Sequence, residues 1–312
     1  MVQTVASVDL PIHEQLLIQK NRIVPENPAE ENKRICIVTG THGDELEGQY
    51  VCYQLNQILQ KNIQHLHGIV DIYPALNPMG INTISRGIPQ FDLDMNRIFP
   101  GTENGPCAEY IARKIVDDIA GADLCVDIHA SNIYLREIPQ IRINENVADA
   151  LIPYAKLLNV DFIWVHAAAT VLESTLAHSL NSIGVKTLVV EMGVGMRITK
   201  YYGDQLVDGL LCAMKKLGIW DGETSTPKEP IVSRDGKVGF VNANTSGIFL
   251  PYLSHGAVMR KGDLIGTIVN PLNGAVEEEL LSPCDGLLFT LREYPVVYGG
   301  SLIARVLEEV AQ

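Results

Sequence analysis

Five apolar runs punctuate the first two thirds of the chain: RICIVTG (34–40), HGIVDIYP (67–74), ADLCVDIH (122–129), DFIWVH (161–166) and KTLVVE (186–191). They are rich in Val and Ile and do not alternate with polar residues, the pattern of strands covered on both faces rather than one. Between them, apolar residues at helical spacing predict helices near 44–62, 105–120, 145–158, 172–183 and 203–217. Strands alternating with helices in this way predict an α/β fold: a mixed, mostly parallel sheet with helices on both faces.

The alternation stops at DGETSTPKEP (221–230), a polar, proline-bearing stretch that reads as a linker. Beyond it lie short β-runs split by glycine, such as GFVNANTSGIFLPY, GAVMRKGDLIGTIV and YPVVYGGSLIARVL. The expected organisation is an α/β domain over 1–225 and a small all-β domain over 230–312. In a chain of 312 residues with 46% hydrophobic and 20% charged side chains, both can bury a core. The formal net charge of −13 argues against nucleic acid and anionic membrane surfaces as partners. The first residues lack the basic and apolar regions of a signal peptide, and no window is apolar enough to span a bilayer. The six cysteines are scattered without a CxxC pair, so reduced, structural thiols in a cytoplasmic protein are expected.

The decapeptide GTHGDELEGQ (40–49) follows the first run directly. It carries His42 and Glu45 just past the end of a strand, and in open α/β sheets ligands bind outside the carboxyl ends of the strands. His42-x-x-Glu45 is a short pattern that also suits a plain helix start. Two other ionisable residues close apolar runs in the same way: His129 ends ADLCVDIH and Glu191 ends KTLVVE. His42, Glu45 and His129 supply two imidazoles and a carboxylate, the donor set of a catalytic zinc whose fourth position is left to water. Glu191 is then the candidate to take the proton of that water and pass it to a leaving group. Asp127 lies two residues before His129, hence on the same strand face, and can orient its ring or simply bond backbone amides. Glu47 is placed on the exposed side of the first helical turn. His65 and His67 fall in a polar connector, and His13, His166, His178 and His255 read as structural or solvated.

A long irregular segment, NPMGINTISRGIPQFDLDMNRIFPG (77–101), contains Arg86, Asn96 and Arg97. Loops of this length in a compact domain are usually functional. An arginine there can grip a carboxylate bidentately or stabilise an oxyanion. The plain alternative is that both arginines pair with Asp92 and Asp94 and only stiffen the loop.

GTHGDELEG, the NP…R…DMNRIFPG segment, DIH and VVEMG together resemble the succinylglutamate desuccinylase/aspartoacylase family. That resemblance spans most of residues 30–200 and implies a zinc-carboxypeptidase-like fold and zinc-dependent hydrolysis of an N-acyl amino acid or related small acylated amine. It implies one Zn2+ per chain on His42, Glu45 and His129, Glu191 as general base and acid, and Asn96 with Arg97 on the substrate carboxylate. Arg86 matches the arginine that polarises the scissile carbonyl. The short intervals from Glu45 to His129 and from His129 to Glu191 resemble the deacylase branch more than digestive carboxypeptidases. One departure concerns the arginine that aspartoacylases carry shortly before the catalytic-glutamate strand for a second substrate carboxylate: 167–185 contains none. Arg136, Arg142 and Arg197 are the candidates to replace it, and Tyr252, Tyr294 and Tyr298 the candidates to reach the site from the C-terminal module.

Two other functions are open on sequence: a metallocarboxypeptidase acting on short peptides, and a non-catalytic metal- or ligand-binding relative, against which the presence of Glu191 argues. The β module resembles a biotinyl- or lipoyl-type hammerhead, but 262–312 holds no lysine to modify. Shaping the pocket or building a homo-oligomer contact is therefore its expected role.

Overall fold

The computed structural model describes residues 1–28, 31–167, 173–234 and 237–308. Its large sheet begins with a hairpin that no apolar run announced, β1 (Val2–Leu10) and β2 (Glu14–Ile23). Next come β3 (Arg34–Thr39), β4 (Ile69–Tyr73), β5 (Leu124–His129), β6 (Leu135–Asn144), β7 (Phe162–His166) and β8 (Thr187–Gly193). The spatial order is β1-β2-β4-β3-β5-β8-β6, with β4, β3, β5 and β8 parallel and with β2 and β6 antiparallel to them. The fold is thus a mixed α/β sheet, as the runs implied. β6 escaped notice because LREIPQIRIN mixes charges with a proline. Pro139, which has no N–H to give a ladder, lies where the β6–β8 register shifts between Glu137 and Gln140.

Helices α1 (Glu47–Lys61), α2 (Pro78–Thr83), α3 (Cys107–Ile119), α4 (Ala148–Ala155), α5 (Leu176–Ser182) and α6 (Lys200–Leu217) connect the strands. The helix expected over 172–183 is α5, and its first expected residue lies outside the described ones. Alternation along each strand feeds two cores. Ile35, Ile37, Val126 and Leu188 pack with Val51, Leu55, Leu206 and Leu210 of α1 and α6 on one face. Cys36, Val38 and Cys125 pack with Ile111 and Ile115 of α3 and Leu180 of α5 on the other. All six cysteines are free thiols.

Residues 221–230 form neither helix nor strand. After them come β9 (Ile231–Ser233), β10 (Val238–Asn242), β11 (Gly247–Pro251), β12 (Val258–Met259), β13 (Leu264–Asn270), β14 (Ala275–Leu281), β15 (Gly286–Arg292), β16 (Val296–Val297) and β17 (Leu302–Glu308). β14, β13, β11 and β16 make a separate antiparallel sheet, while β15, β17 and β10 extend the large sheet beyond β6. Thr290 of β15 is the register partner of both Glu137 in β6 and Arg305 in β17. The C-terminal strands therefore reach the row of residues that ends at Glu191.

At the opposite end of the sheet, Asp71 is fully buried among cations. Its Oδ2 lies 3.2 Å from Lys20 Nζ, 2.6 Å from Arg22 Nη2 and 3.1 Å from Arg34 Nε. Burial alone would raise this carboxyl, but Arg22 and Lys20 hold it below the usual range. A depressed folded-state pKa contributes stability above the ordinary carboxylate range, lost as pH falls through the folded value. Asp71→Asn leaves Lys20 and Arg34 with an uncompensated share of buried charge, and should cost about 3–5 kcal/mol in urea denaturation at pH 7. The difference from the parent should shrink in acid, below about pH 4.

Candidate active site

His42 and Glu45 sit in the turn between β3 and α1. The turn is locked by backbone: Gly43 N donates to Ser85 O at 3.1 Å, just past α2. A Cβ on Gly43 would lie 1.9 Å from the carbonyl carbon of Gly80, so only glycine permits this approach. α2 is itself capped by Asn77, whose side chain accepts from Gly80 N. His129 arrives at the end of β5, and parallel pairing with β8 makes Glu191 its register partner, so both side chains lie on one face.

The three side chains converge. His42 Nδ1 is 2.8 Å from Glu45 Oε1 and His129 Nδ1 is 2.9 Å from Glu45 Oε2. One ligand atom from each residue falls within 4.8 Å of the others, and all three are buried. The outer ring nitrogens face further carboxylates: His42 Nε2 meets Asp94 Oδ1 at 3.0 Å, and His129 Nε2 lies 3.2 Å from Asp127 Oδ2, out of line for a hydrogen bond. A neutral imidazole has one N–H. If it points to the outer carboxylate, the Nδ1 lone pair confronts a Glu45 oxygen, and something positive must lie between. Desolvation would lower both histidines, yet Asp94, Glu45 and Asp127 hold them above the usual range, while Glu45 is driven well below its own, against the effect of burial, by His129 and His42. Two buried Nδ1 atoms and one buried carboxylate, with a second carboxylate behind each ring, fit a divalent cation.

These residues line a cavity of about 510 Å³ that also takes in Arg86, Asn96, Arg97, Asp127 and Glu191. Every site residue expected from sequence thus borders one space. Burial pushes the Glu191 carboxyl up to about 7, opposed by Arg142 and reinforced by Glu137. Arg86 Nη1 lies 3.0 Å from Glu45 Oε1 and its Nε 3.4 Å from Asp94 Oδ2. Arg97 pairs with neither loop aspartate and donates instead to the Asn96 carbonyl. Asp94 Oδ1 also accepts from Asn96 N, so one oxygen caps the 95–97 turn and braces His42. Asn96 Oδ1 holds Leu176 N at 2.9 Å, tying the loop to α5.

Other expectations resolve differently. Glu47 is not on the exposed side of its helix. It is 1% exposed, and its carboxylate accepts from Thr199 N at 2.6 Å. Gly193, at positive φ, leaves the space it occupies, and burial raises its pKa. The inversion arises because the 193–199 segment folds over the first turn of α1, a contact that helix periodicity does not encode. Of the three replacement arginines, Arg142 alone lines the cavity; Arg136 pairs with Glu293, and Arg197 donates to the Met196 carbonyl. Tyr252, Tyr294 and Tyr298 are 62%, 47% and 71% exposed, and none lines the cavity. What enters from the C-terminal strands is Arg305. Sequence reasoning missed it, together with Glu137, because both depend on antiparallel pairing that only the folded sheet reveals.

The succinylglutamate desuccinylase/aspartoacylase catalytic domain matches residues 31–215, and the chain belongs to this family of deacylases. It is similar to the N-alpha-acetyl-L-2,4-diaminobutyric acid deacetylase of Halomonas elongata, 24% identical over 287 residues, covering 87% of this chain and 81% of that one. The product-bound ectoine utilization protein EutE (DoeB) of Ruegeria pomeroyi superposes with a TM-score of 0.82 at 21% identity, over 97% of this chain and 93% of that one. A succinylglutamate desuccinylase/aspartoacylase of Rhodobacter sphaeroides gives 0.81 at 22%, over 99% and 96%. No helix among the described residues is long and apolar enough to cross a membrane.

Gly43→Ala should force the His42 turn off α2. The expected cost is about 3 kcal/mol, read as a lowered urea midpoint, with Gly262→Ala, where a Cβ meets nothing within 4 Å but φ is positive, costing less.

Proposed function

We propose that the chain is a zinc-dependent deacylase that cleaves the amide bond of an N-acyl amino acid or a related small acylated amine. The observation that carries this is the β5–β8 register, which sets Glu191 beside His129 at the head of a cavity rimmed by Asn96 and Arg97. His42, Glu45 and His129 would hold the zinc, which when bound makes water a nucleophile near neutral pH and polarises a carbonyl. Glu191 takes the proton of the attacking water on its carboxylate and returns it to the leaving nitrogen, so that the amine departs uncharged. Burial favours that cycle, because a carboxyl with a raised pKa both accepts and releases a proton near neutrality. Arg97, exposed at the rim with Asn96 beside it, grips the substrate carboxylate. Arg86, at the edge of the ligand cluster, faces the developing oxyanion.

The charge inventory supports a small acyl group without a carboxylate of its own. Arg142 and Arg305 are both engaged with Glu137, and the segment before β8 adds no arginine. An uncharged acyl group also accords with the deacetylase named among the relatives.

Purified protein should carry about one zinc per chain by elemental analysis, and chelation should abolish turnover. Glu191→Gln should keep the metal and lose about 10²–10⁴-fold in kcat; full activity in this variant would refute the proton-transfer role. In a substrate panel, N-acetyl amino acids should turn over faster than their N-succinyl counterparts.

A further inference from the structure

We propose that Arg305, supplied by the C-terminal strands, is a positioning residue for Glu191, acting through Glu137 and Arg142; this rests on the reading of Glu191 as the base. The four side chains, on β17, β6 and β8, form one chain of charge-assisted bonds that passes over β15. Arg305 Nη1 donates to Glu137 Oε1 at 2.8 Å. Arg142 Nη2 donates to both Glu137 oxygens, at 3.1 and 2.9 Å, and Thr290 Oγ1 adds a bond at 3.3 Å. Arg142 Nη1 then reaches Glu191 Oε1 at 3.3 Å.

Strand geometry makes the chain possible. Glu137 and Arg142 are an odd number of residues apart, which in a regular strand puts them on opposite faces. The register shift at Pro139 absorbs one residue, so that Glu137 opposes Gly193, Gln140 opposes Glu191 and Arg142 opposes Val189. Glu137 is 1% exposed, and a carboxylate buried that far needs both arginines. Apolar side chains would fill the same space at lower cost, so a merely structural purpose does not explain the row.

Charge alternates along it: Arg305 plus, Glu137 minus, Arg142 plus, Glu191 minus. The contact to Glu191 is the long one. With Arg305 present, Glu137 is neutralised from its far side, and Arg142 can share its fork with the base. Without Arg305, Glu137 keeps a single cationic partner, Arg142 swings fully onto it, and Glu191 loses its anchor. This gives the C-terminal module a task at the active site that requires no modifiable lysine.

The test compares Arg305→Ala, Arg305→Lys and Glu137→Gln in the zinc-loaded enzyme with an N-acetyl amino acid. Arg305→Ala should lower kcat about 10–100-fold, with KM within about threefold and zinc content unchanged. Millimolar guanidinium should restore part of the lost kcat, Arg305→Lys should retain more activity than Arg305→Ala, and Glu137→Gln, which takes away the carboxylate that competes for Arg142, should likewise retain more than Arg305→Ala. Added to Glu191→Gln, Arg305→Ala should cost nothing further. A rise in KM with kcat intact would make Arg305 a substrate contact and overturn the proposal. So would a kcat loss that guanidinium and lysine do not restore, a normal kcat in Arg305→Ala, or a kcat in Glu137→Gln as low as in Arg305→Ala. Should Arg305→Ala fail to fold, Arg305→Gln takes its place with the same outcomes. An inactive Glu191→Gln beside a normal Arg305→Ala sinks only this inference, whereas an active Glu191→Gln sinks the base assignment on which it stands.

Discussion

A carboxylate withdrawn from water must find positive charge, and Glu45 is held between two imidazoles and against Arg86. At 4% exposure little of it meets solvent, and its two oxygens each meet an Nδ1. Everything near it serves that pairing. Asp94 and Asp127 stand behind the rings, Ala130 N donates to Oε2 at 3.1 Å, and Arg86 closes the open side. The sheet beneath supplies the precision, since β3 and β5 are paired in register and end together at the cluster. A chain that failed to align those two strand ends would leave the carboxylate alone, at a cost of several kcal/mol.

The parts of the fold legible in sequence were those that physical covering makes uniform. β3, β4, β5, β7 and β8 are wrapped on both faces, so their residues are mostly apolar, Asp71, Asp127 and the strand-end site residues aside, and stand out from the polar segments around them. The β1–β2 hairpin has one half-wet face and mixed composition, and β6 carries Arg136, Glu137, Gln140 and Arg142 in what is nonetheless an interior strand. Of these, Glu137 and Arg142 line the cavity, Arg136 pairs with Glu293 and Gln140 is buried. The feature that hid β6 from a hydropathy reading is therefore the one that makes it chemically interesting.

The site divides along the same line. His42, Glu45, His129 and Glu191 each follow an apolar run, so chain position alone suggested a shared edge. Glu137, Arg142 and Arg305 meet through antiparallel neighbours and a register shift, and no spacing along the chain encodes such a meeting. Glu47 marks the same limit: its helical position was read correctly, but the segment that buries it lies about 150 residues away.

Asp94 joins two tasks in a single atom. Its Oδ1 shapes the 95–97 turn and steadies His42. On the proposed reading, the hand that holds the substrate and the bracket that holds the metal hang from one nail. Retuning the first disturbs the second, so a scaffold of this kind can diversify what it accepts more freely along the walls formed by β6 and the C-terminal strands, which share no atom with the ligand cluster.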